Sequence, residues 1–385
     1  MDTAERRPRP LDPSEAARYG RHLVLPEVGL DGQLRLRDAS VLVVGAGGLG
    51  SPLSLYLAAA GVGRIGLVDF DRVDLSNLQR QILYGTADVG RAKLAAATER
   101  LRDVNPHVKI EAHDGRLVAA NAASIVADYD LVADGTDNFP ARYLVNDACV
   151  LARKPNVHGS VFRFEGQVSV FHAGRGPCYR CLFPDPPAPG AVPNCAEGGV
   201  LGALPGIVGA LQAIETIKYI LGLGESLCGR LLLFDALELR FRELRLRRDP
   251  RCPACGDQPT IRRLADVADA CDLGSAPDAG GEAIDPRRLR ELLDGAEPPL
   301  LLDVRTPGEW AICRLPGARL IPLQELERRM GEIDRSREIV VYCHAGMRSA
   351  MAAGLLRRQG HARVRNLTGG IDGWSVLVDP TLPRY

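Results

Sequence analysis

The stretch ASVLVVGAGGLGSPLSLYLAAAG, Ala39–Gly61, allows few folds: an apolar run, a glycine cluster, and a second apolar run of helical length closing on Gly61. Gly45, Gly47 and Gly50 stand in the spacing G-x-G-x-x-G, which permits a tight turn and close backbone approach, and the helix start behind it attracts phosphate. GRIGLVDFD then reads as a second buried strand ending in Asp69, about twenty residues on, where a dinucleotide site would place a ribose hydroxyl. Strand and helix patterns continue through Ile125–Ala133, DLVADGTDN and PNVHGSVFRFEGQVSVF, behind a mostly helical Pro13–Arg37. Such alternation with short connections predicts a mostly parallel sheet with helices on both faces.

That Rossmann-like α/β unit cannot account for all 385 residues, a length that calls for two domains. The boundaries read as a larger α/β domain over 1–256, a small, polar, turn-rich linker over 257–283, and a smaller α/β domain over 284–385. There is no internal repeat. The 48 basic and 48 acidic residues cancel, which argues against a broad nucleic-acid footprint. The start MDTAERRPRPLDPSEAARYG lacks the apolar core of a secretory signal. The apolar run Val200–Leu223 is interrupted by Pro205, Gln212, Glu215 and Lys218 and predicts a buried helix, so no membrane is expected. Ten cysteines without a signal point to the cytoplasm, where thiols serve metals and catalysis.

Taken alone, the glycine turn leaves an NAD site, an ATP site and a structural turn open. The following residues favour ATP. DRVDLSNLQRQ brings Asn77, Arg80 and Gln81 directly behind the acidic strand end, GRAKL places Lys93 at a helix start, and DGTDN puts Asp137 and Asn138 after another strand. Hydride transfer needs little extra charge. Cleavage between the α- and β-phosphates needs cations on the phosphates and a carboxylate for Mg²⁺.

Together RYGRHLVLPEVGLDGQ, GAGGLGS, DFDRVDLSNLQRQ, GRAKL and DGTDN, in this order over about Glu15–Cys255, resemble the MoeB/ThiF adenylyltransferases, relatives of ubiquitin-activating enzymes. The resemblance implies that MgATP adenylates the C-terminal glycine carboxylate of a ubiquitin-fold sulfur carrier protein. It also implies roles at matching positions. Gly48 and Asp69 hold the nucleotide, with Ser76 in the same site. Asn77 and Arg80 contact the phosphates, Lys93 stabilises the leaving pyrophosphate, and Asp137 with Asn138 serves magnesium and ATP. Arg21 matches a residue that reaches into a partner subunit's site, so a homodimer is expected.

Cys178 with Cys181, and Cys252 with Cys255, make two C-x-x-C pairs. Two pairs can close a tetrahedral thiolate site around Zn²⁺ with no open position, which predicts a structural metal, whereas a redox dithiol needs only one pair. Cys195 lies alone at the end of the proline-rich CLFPDPPAPGAVPNCAEGG. In some relatives the matching cysteine links covalently to the carrier, so a mechanistic role for Cys195 is expected here.

Beyond the linker, VYCHAGMRSA sets Cys343 between the strand EIVVY and a helix. A loop at that junction points backbone amides at its centre, and the helix start favours negative charge there. Only His344, Ala345, Gly346 and Met347 separate Cys343 from Arg348, one residue fewer than in a tyrosine-phosphatase-type loop, so the cradle suits a terminal sulfur better than a phosphate. DVRTPGEW, LPGARLIPL, CHAGMRS and GGIDGW, within Ile284–Trp374, resemble the rhodanese-like sulfurtransferases. That resemblance implies a persulfide on Cys343, stabilised by the amides of His344–Arg348, with Arg348 holding the loop shape. Cys313, Arg314 and Leu315 depart from the family's Gly-His pattern.

The two halves give one expectation: the first activates the carrier's carboxylate, and the second delivers sulfur from Cys343, making a thiocarboxylate. The donor is thiosulfate or a cysteine desulfurase persulfide. The carrier could belong to molybdenum cofactor (molybdopterin), thiamine, cysteine or tRNA-thiolation chemistry. Alternatives are a Cys195 thioester for ubiquitin-like conjugation, or a carrier-binding scaffold without catalysis.

Overall fold

The pentapeptide SVLVV, Ser40–Val44 (β1), is buried at every residue and can sit only inside a sheet covered on both faces. The computed structural model describes residues 10–187, 198–266 and 283–385, which fall into two units divided between Val267 and Ala268. The expected linker, 257–283, lies mostly outside the described residues.

In the first unit, short helices Pro13–Arg18 (α1) and Gly20–Leu23 (α2) precede Gly29–Asp38 (α3), β1 and Gly50–Ala60 (α4). Arg64–Asp69 (β2), Lys93–Val104 (α5), Lys109–Asp114 (β3), Ala119–Ala127 (α6), Leu131–Asp134 (β4) and Phe139–Ala152 (α7) continue the alternation. Asn156–Phe162 (β5) and Glu165–Phe171 (β6) follow, then Tyr179–Leu182 (α8), Ala203–Leu221 (α9), Arg230–Asp235 (β7) and Arg240–Arg245 (β8). The eight strands lie in the order β3-β2-β1-β4-β5-β6-β7-β8. Pairing is parallel from β3 to β5 and antiparallel from there to β8. The reversal comes from the β5–β6 hairpin, where Arg163 adopts φ +54°, a turn that apolar alternation alone does not announce. Edge strand β8 is exposed throughout and carries Arg240, Arg242 and Arg245, charges that discourage further strand pairing.

The two-residue period of β1 feeds two cores. Val41 and Val43 pack with α4, α5 and α9, while Leu42 and Val44 pack with α6 and α7. Helix α9 is the one helix among the described residues long and apolar enough to cross a bilayer, but it lies on α4, β5 and β6. Its Gln212 is fully buried because Nε2 donates to the carbonyls of Asp134 at 2.7 Å and Val157 at 3.0 Å. Strand order turns around between β1 and β4, so connections leave in opposite directions there and open a crevice at the strands' carboxyl ends, where such sheets bind ligands.

The second unit comprises Ala283–Ile284 (β9), Pro286–Leu293 (α10), Leu300–Asp303 (β10), Pro307–Ile312 (α11), Arg319–Leu320 (β11) and Leu323–Arg329 (α12). Ile339–Tyr342 (β12), Met347–Arg358 (α13), Val364–Leu367 (β13) and Gly370–Leu377 (α14) complete it. Its sheet, β11-β10-β12-β13-β9, is wholly parallel. Ile339, Val341 and Cys343 belong to one core, Val340 and Tyr342 to the other, so Cys343 leaves the end of the central strand already buried.

Candidate functional site

At the end of β1, Gly45 has φ +90°, a conformation that favours glycine, and its amide donates to the Val68 carbonyl at 2.8 Å. A Cβ on Gly50 would lie 1.8 Å from the Gly45 carbonyl oxygen, so the chain can fold back into α4 only with glycine there. Gly47 and Gly48 face the segment after β2: a Cβ would meet Gln81 Nε2 at 3.6 Å in the first case and Arg80 Cδ at 3.6 Å in the second. The expected cation therefore lies against the glycine turn. Its Nη1 donates to the Ser76 carbonyl at 3.1 Å.

Asp69 turns its carboxylate inward. Oδ2 accepts from the Ala46 amide at 2.8 Å, and Oδ1 accepts from the amides of Phe70 and Asp71 at 2.8 and 2.9 Å. Its immediate work is to brace the turn. Tyr84 braces it too, donating its hydroxyl to the Ala46 carbonyl at 2.8 Å, and no motif pointed to that residue. Lys93, only 4% exposed at the head of α5, donates Nζ to Asp71 Oδ2 at 2.9 Å. Asp71 is the partner that sequence reasoning passed over, although the doublet DFD carried the signal.

Asp74 caps the 3₁₀ turn Leu75–Asn77, accepting from the Ser76 amide and hydroxyl at 2.9 and 2.7 Å. Beyond β4, Asp137 is exposed and Asn138 caps α7, its Oδ1 accepting from the Ala141 amide at 2.9 Å. That loop is anchored by Asp134, which accepts from the Thr136 amide at 3.0 Å and hydroxyl at 2.6 Å and lies 3.0 Å from His158 Nδ1. Burial pushes the Asp134 carboxyl up, but His158 and Thr136 outweigh it and hold it below the ordinary range. Arg21 is exposed on α2, close in sequence to exposed Val24 and Leu25. Cys195 lies outside the described residues.

The four paired cysteines converge. Cys178 caps the short α8 that carries Cys181, while Cys252 and Cys255 sit on a turn beyond β8. All four sulfurs lie within 4.8 Å of one another, with Cys178 to Cys252 at 3.6 Å and Cys181 to Cys255 at 3.3 Å. Thiolates on a tetrahedral Zn²⁺ sit about 3.8 Å apart, so the set fits that ion. The Cys181 and Cys252 sulfurs also accept amide hydrogens from Asp249 at 3.4 Å and Cys255 at 3.5 Å, as metal-bound thiolates do.

In the second unit Cys343 is 2% exposed. The Gly346 amide donates to its Sγ at 3.0 Å, and the Ser349 hydroxyl lies 3.3 Å from the same sulfur and 3.0 Å from the Gly346 carbonyl. Gly346 holds φ +101° to complete the loop. The start of α14 closes it from the other side, with the amides of Ile371 and Asp372 donating to the carbonyls of Cys343 and His344 at 2.9 and 3.1 Å. Arg348 points its guanidinium at Glu309, with Nη1 to Oε2 at 2.8 Å and Nη2 to Oε1 at 2.6 Å. Burial raises the Glu309 carboxyl, but Arg348 and Thr306 outweigh it and hold it down at about 2. Burial likewise pushes His344 below the ordinary histidine range. Ala345 and Met347 complete the loop between these residues. The departure at Cys313–Leu315 is absorbed by packing: Cys313 and Leu315 are buried, and the Cys313 carbonyl accepts from Arg305 Nη2 at 2.8 Å.

Comparison with known proteins agrees with both halves. The ThiF family matches residues 19–254, and the rhodanese-like domain matches residues 285–377. Over 384 residues the chain is 48% identical to the "Probable adenylyltransferase/sulfurtransferase MoeZ" of Mycobacterium tuberculosis, covering 97% of this chain and 96% of that one. It is 48% identical over 406 residues to the "Adenylyltransferase and sulfurtransferase MOCS3" of Sus scrofa, covering 97% and 89%. Among solved structures, E. coli MccB with ATP superposes at a TM-score of 0.55 and 23% identity, over 62% of this chain and 74% of that one, a likeness of fold.

Proposed function

Because the chain belongs to the ThiF family and carries a rhodanese-like domain behind it, we propose that this adenylyltransferase and sulfurtransferase converts the C-terminal glycine carboxylate of a ubiquitin-fold sulfur carrier into a thiocarboxylate. The observation that carries the reading is Arg80 lying against Gly48 of the glycine turn at the point where strand order reverses. Buried Lys93 adds a second cation at the end of β2.

A carboxylate is a poor electrophile. Attack of its oxygen on the α-phosphorus of ATP forms an acyl-adenylate and releases pyrophosphate, whose charge Arg80 and Lys93 would hold while the amides at the start of α4 face the phosphates. Asp137 and Asn138 would hold Mg²⁺, which supplies charge neutralisation on the triphosphate. Cys343, carrying a terminal sulfur under the Gly346 amide and Ser349 hydroxyl, would attack the acyl carbon through that sulfur, with AMP leaving, to give an acyl disulfide. A second thiolate, Cys195 or an external thiol, would then attack the Cys343 Sγ, release the thiocarboxylate and leave Cys343 in a disulfide that a further thiol reduces. Cys178, Cys181, Cys252 and Cys255 would hold a structural Zn²⁺. Exposed Val24 at 74%, Leu25 at 47% and Leu30 at 52% around Arg21 support a homodimer through α2 and α3. The thiol roles proposed for Cys178, Cys181, Cys252, Cys255 and Cys343 support the cytoplasm as the compartment.

The test is ATP–pyrophosphate exchange. It should depend on a ubiquitin-fold protein ending in Gly-Gly, and absence of exchange with every such protein offered would overturn the adenylation reading.

A further inference from the structure

The Cys343 loop has a neighbour that adenylation and sulfur transfer leave unused. The segment Asp379–Tyr385 returns to the loop after α14. Arg384 ties it to Asp372, with Nε to Oδ1 at 2.6 Å and Nη2 to Oδ2 at 3.1 Å, and the Pro383 carbonyl accepts from Cys313 Sγ at 3.4 Å. Tyr385 then lays its ring 4.5 Å from that of His344, centroid to centroid, at 40°. Its hydroxyl accepts from Arg305 Nη1 at 2.6 Å and donates to Glu309 Oε1 at 3.3 Å.

These contacts join two ion pairs. Arg305 is fully buried against Asp303, with Nε 2.9 Å from Oδ1, and Glu309 holds both terminal nitrogens of Arg348. The line Asp303–Arg305–Tyr385–Glu309–Arg348 contains a single neutral group, the Tyr385 hydroxyl. That group can accept from a guanidinium and donate to a carboxylate at once, which no other side chain in the line can do. The ring is thereby held at a set position beside the residue that follows Cys343. A tyrosine has few rotatable bonds, so it makes a stiff wall at low entropic cost.

We propose that Tyr385 is a positioning residue that decides which acceptors reach the sulfur on Cys343, its ring walling the loop on the His344 side and its hydroxyl fixing that wall to Glu309 and Arg348. The inference rests on Cys343 as the sulfur-bearing residue. With thiosulfate, the Cys343 thiolate attacks the outer sulfur, the sulfur–sulfur bond breaks and sulfite leaves, giving a persulfide. An acceptor thiolate or cyanide then takes the terminal sulfur and the Cys343 thiolate returns, with no net oxidation. The wall favours small acceptors without bulk beside the attacking atom.

The experiment uses the full chain loaded with thiosulfate and compares kcat/KM for cyanide with that for dithiothreitol, a bulkier acceptor. Tyr385→Ala should raise the dithiothreitol-to-cyanide ratio about threefold to tenfold, the range set by one aromatic pair. Tyr385→Phe, which keeps the ring but loses the hydroxyl that fixes it, should raise the ratio in the same direction by a smaller factor. Tyr385→Leu makes the same prediction as alanine while preserving apolar packing, should the alanine chain fail to fold. His344→Ala combined with Tyr385→Ala should add less than the sum of the two shifts, because the rings act as one wall. A tyrosine that merely stabilises the fold would lower both acceptors equally. An unchanged ratio in the alanine or leucine chain overturns the proposal. Sulfur transfer surviving in Cys343→Ala would instead overturn the assignment of the sulfur to Cys343, so the two failures are separable.

Discussion

Arg80 and Glu309 show how much of each site rests on one charge. Arg80 lies against the glycine turn and gives Nη1 to the Ser76 carbonyl, so truncation removes a cation from the proposed phosphate site without touching either core. Arg80→Ala should cut ATP–pyrophosphate exchange by at least about a hundredfold, the usual loss for a group stabilising transition-state charge, while thiosulfate-to-cyanide sulfur transfer persists. Equal loss of both activities would mean that the residue supports folding instead. Glu309 makes a prediction in pH. Its carboxyl titrates near 2 in the folded chain and near the ordinary value of about 4 when unfolded, so the folded state releases that proton more readily. The stability it contributes is fully present above about pH 4.5 and is lost as pH falls toward 2. Glu309→Gln should therefore flatten the acid end of the second unit's unfolding profile over that window. A Gln chain with the parent's acid slope would show that another carboxylate sets it.

At the scale of elements, the first unit depends on its four-cysteine cluster and on its strand order. Helix α8 and the turn beyond β8 are far apart in sequence, and their four cysteines converge in one cluster. Cys252→Ser should release Zn²⁺ and lower the first unit's Tm by about 10 °C, since several kcal/mol of metal binding are coupled to folding. Metal analysis with unchanged zinc would contradict the assignment. Legibility also divides at this scale. Strand β1, the glycine turn, α4 and β2 are plain because apolar runs of distinct length flank a glycine cluster in which the turn requires Gly45 and Gly50. The paired cysteines were plain because their spacing is itself the geometry of the pair. The antiparallel turn at Arg163 was not, because an alternating run such as PNVHGSVFRFEGQVSVF does not state which way its second strand runs. Tyr84, His158 and Tyr385 were missed for a common reason: each contacts its site from a distant part of the chain through one hydroxyl or ring nitrogen, which leaves no local pattern. Asp69 was legible as a site residue, while its three backbone partners at the turn appear only in three dimensions.

For the whole molecule, the account joins two chemistries. Under the proposed function, one unit would make a carboxylate electrophilic, and the other would store a nucleophilic sulfur that would be wasted on an unactivated carboxylate. Similarity spanning 97% of the chain to proteins named for both activities supports reading the halves together. The most direct measurement is intact mass spectrometry of a Gly-Gly-ended carrier after incubation with the full chain, MgATP, thiosulfate and a thiol reductant. The account predicts that one carboxylate oxygen of the carrier is replaced by sulfur with the parent chain, and that the exchange disappears with Cys343→Ala although pyrophosphate exchange remains. Thiocarboxylate formed at full yield by Cys343→Ala would contradict it.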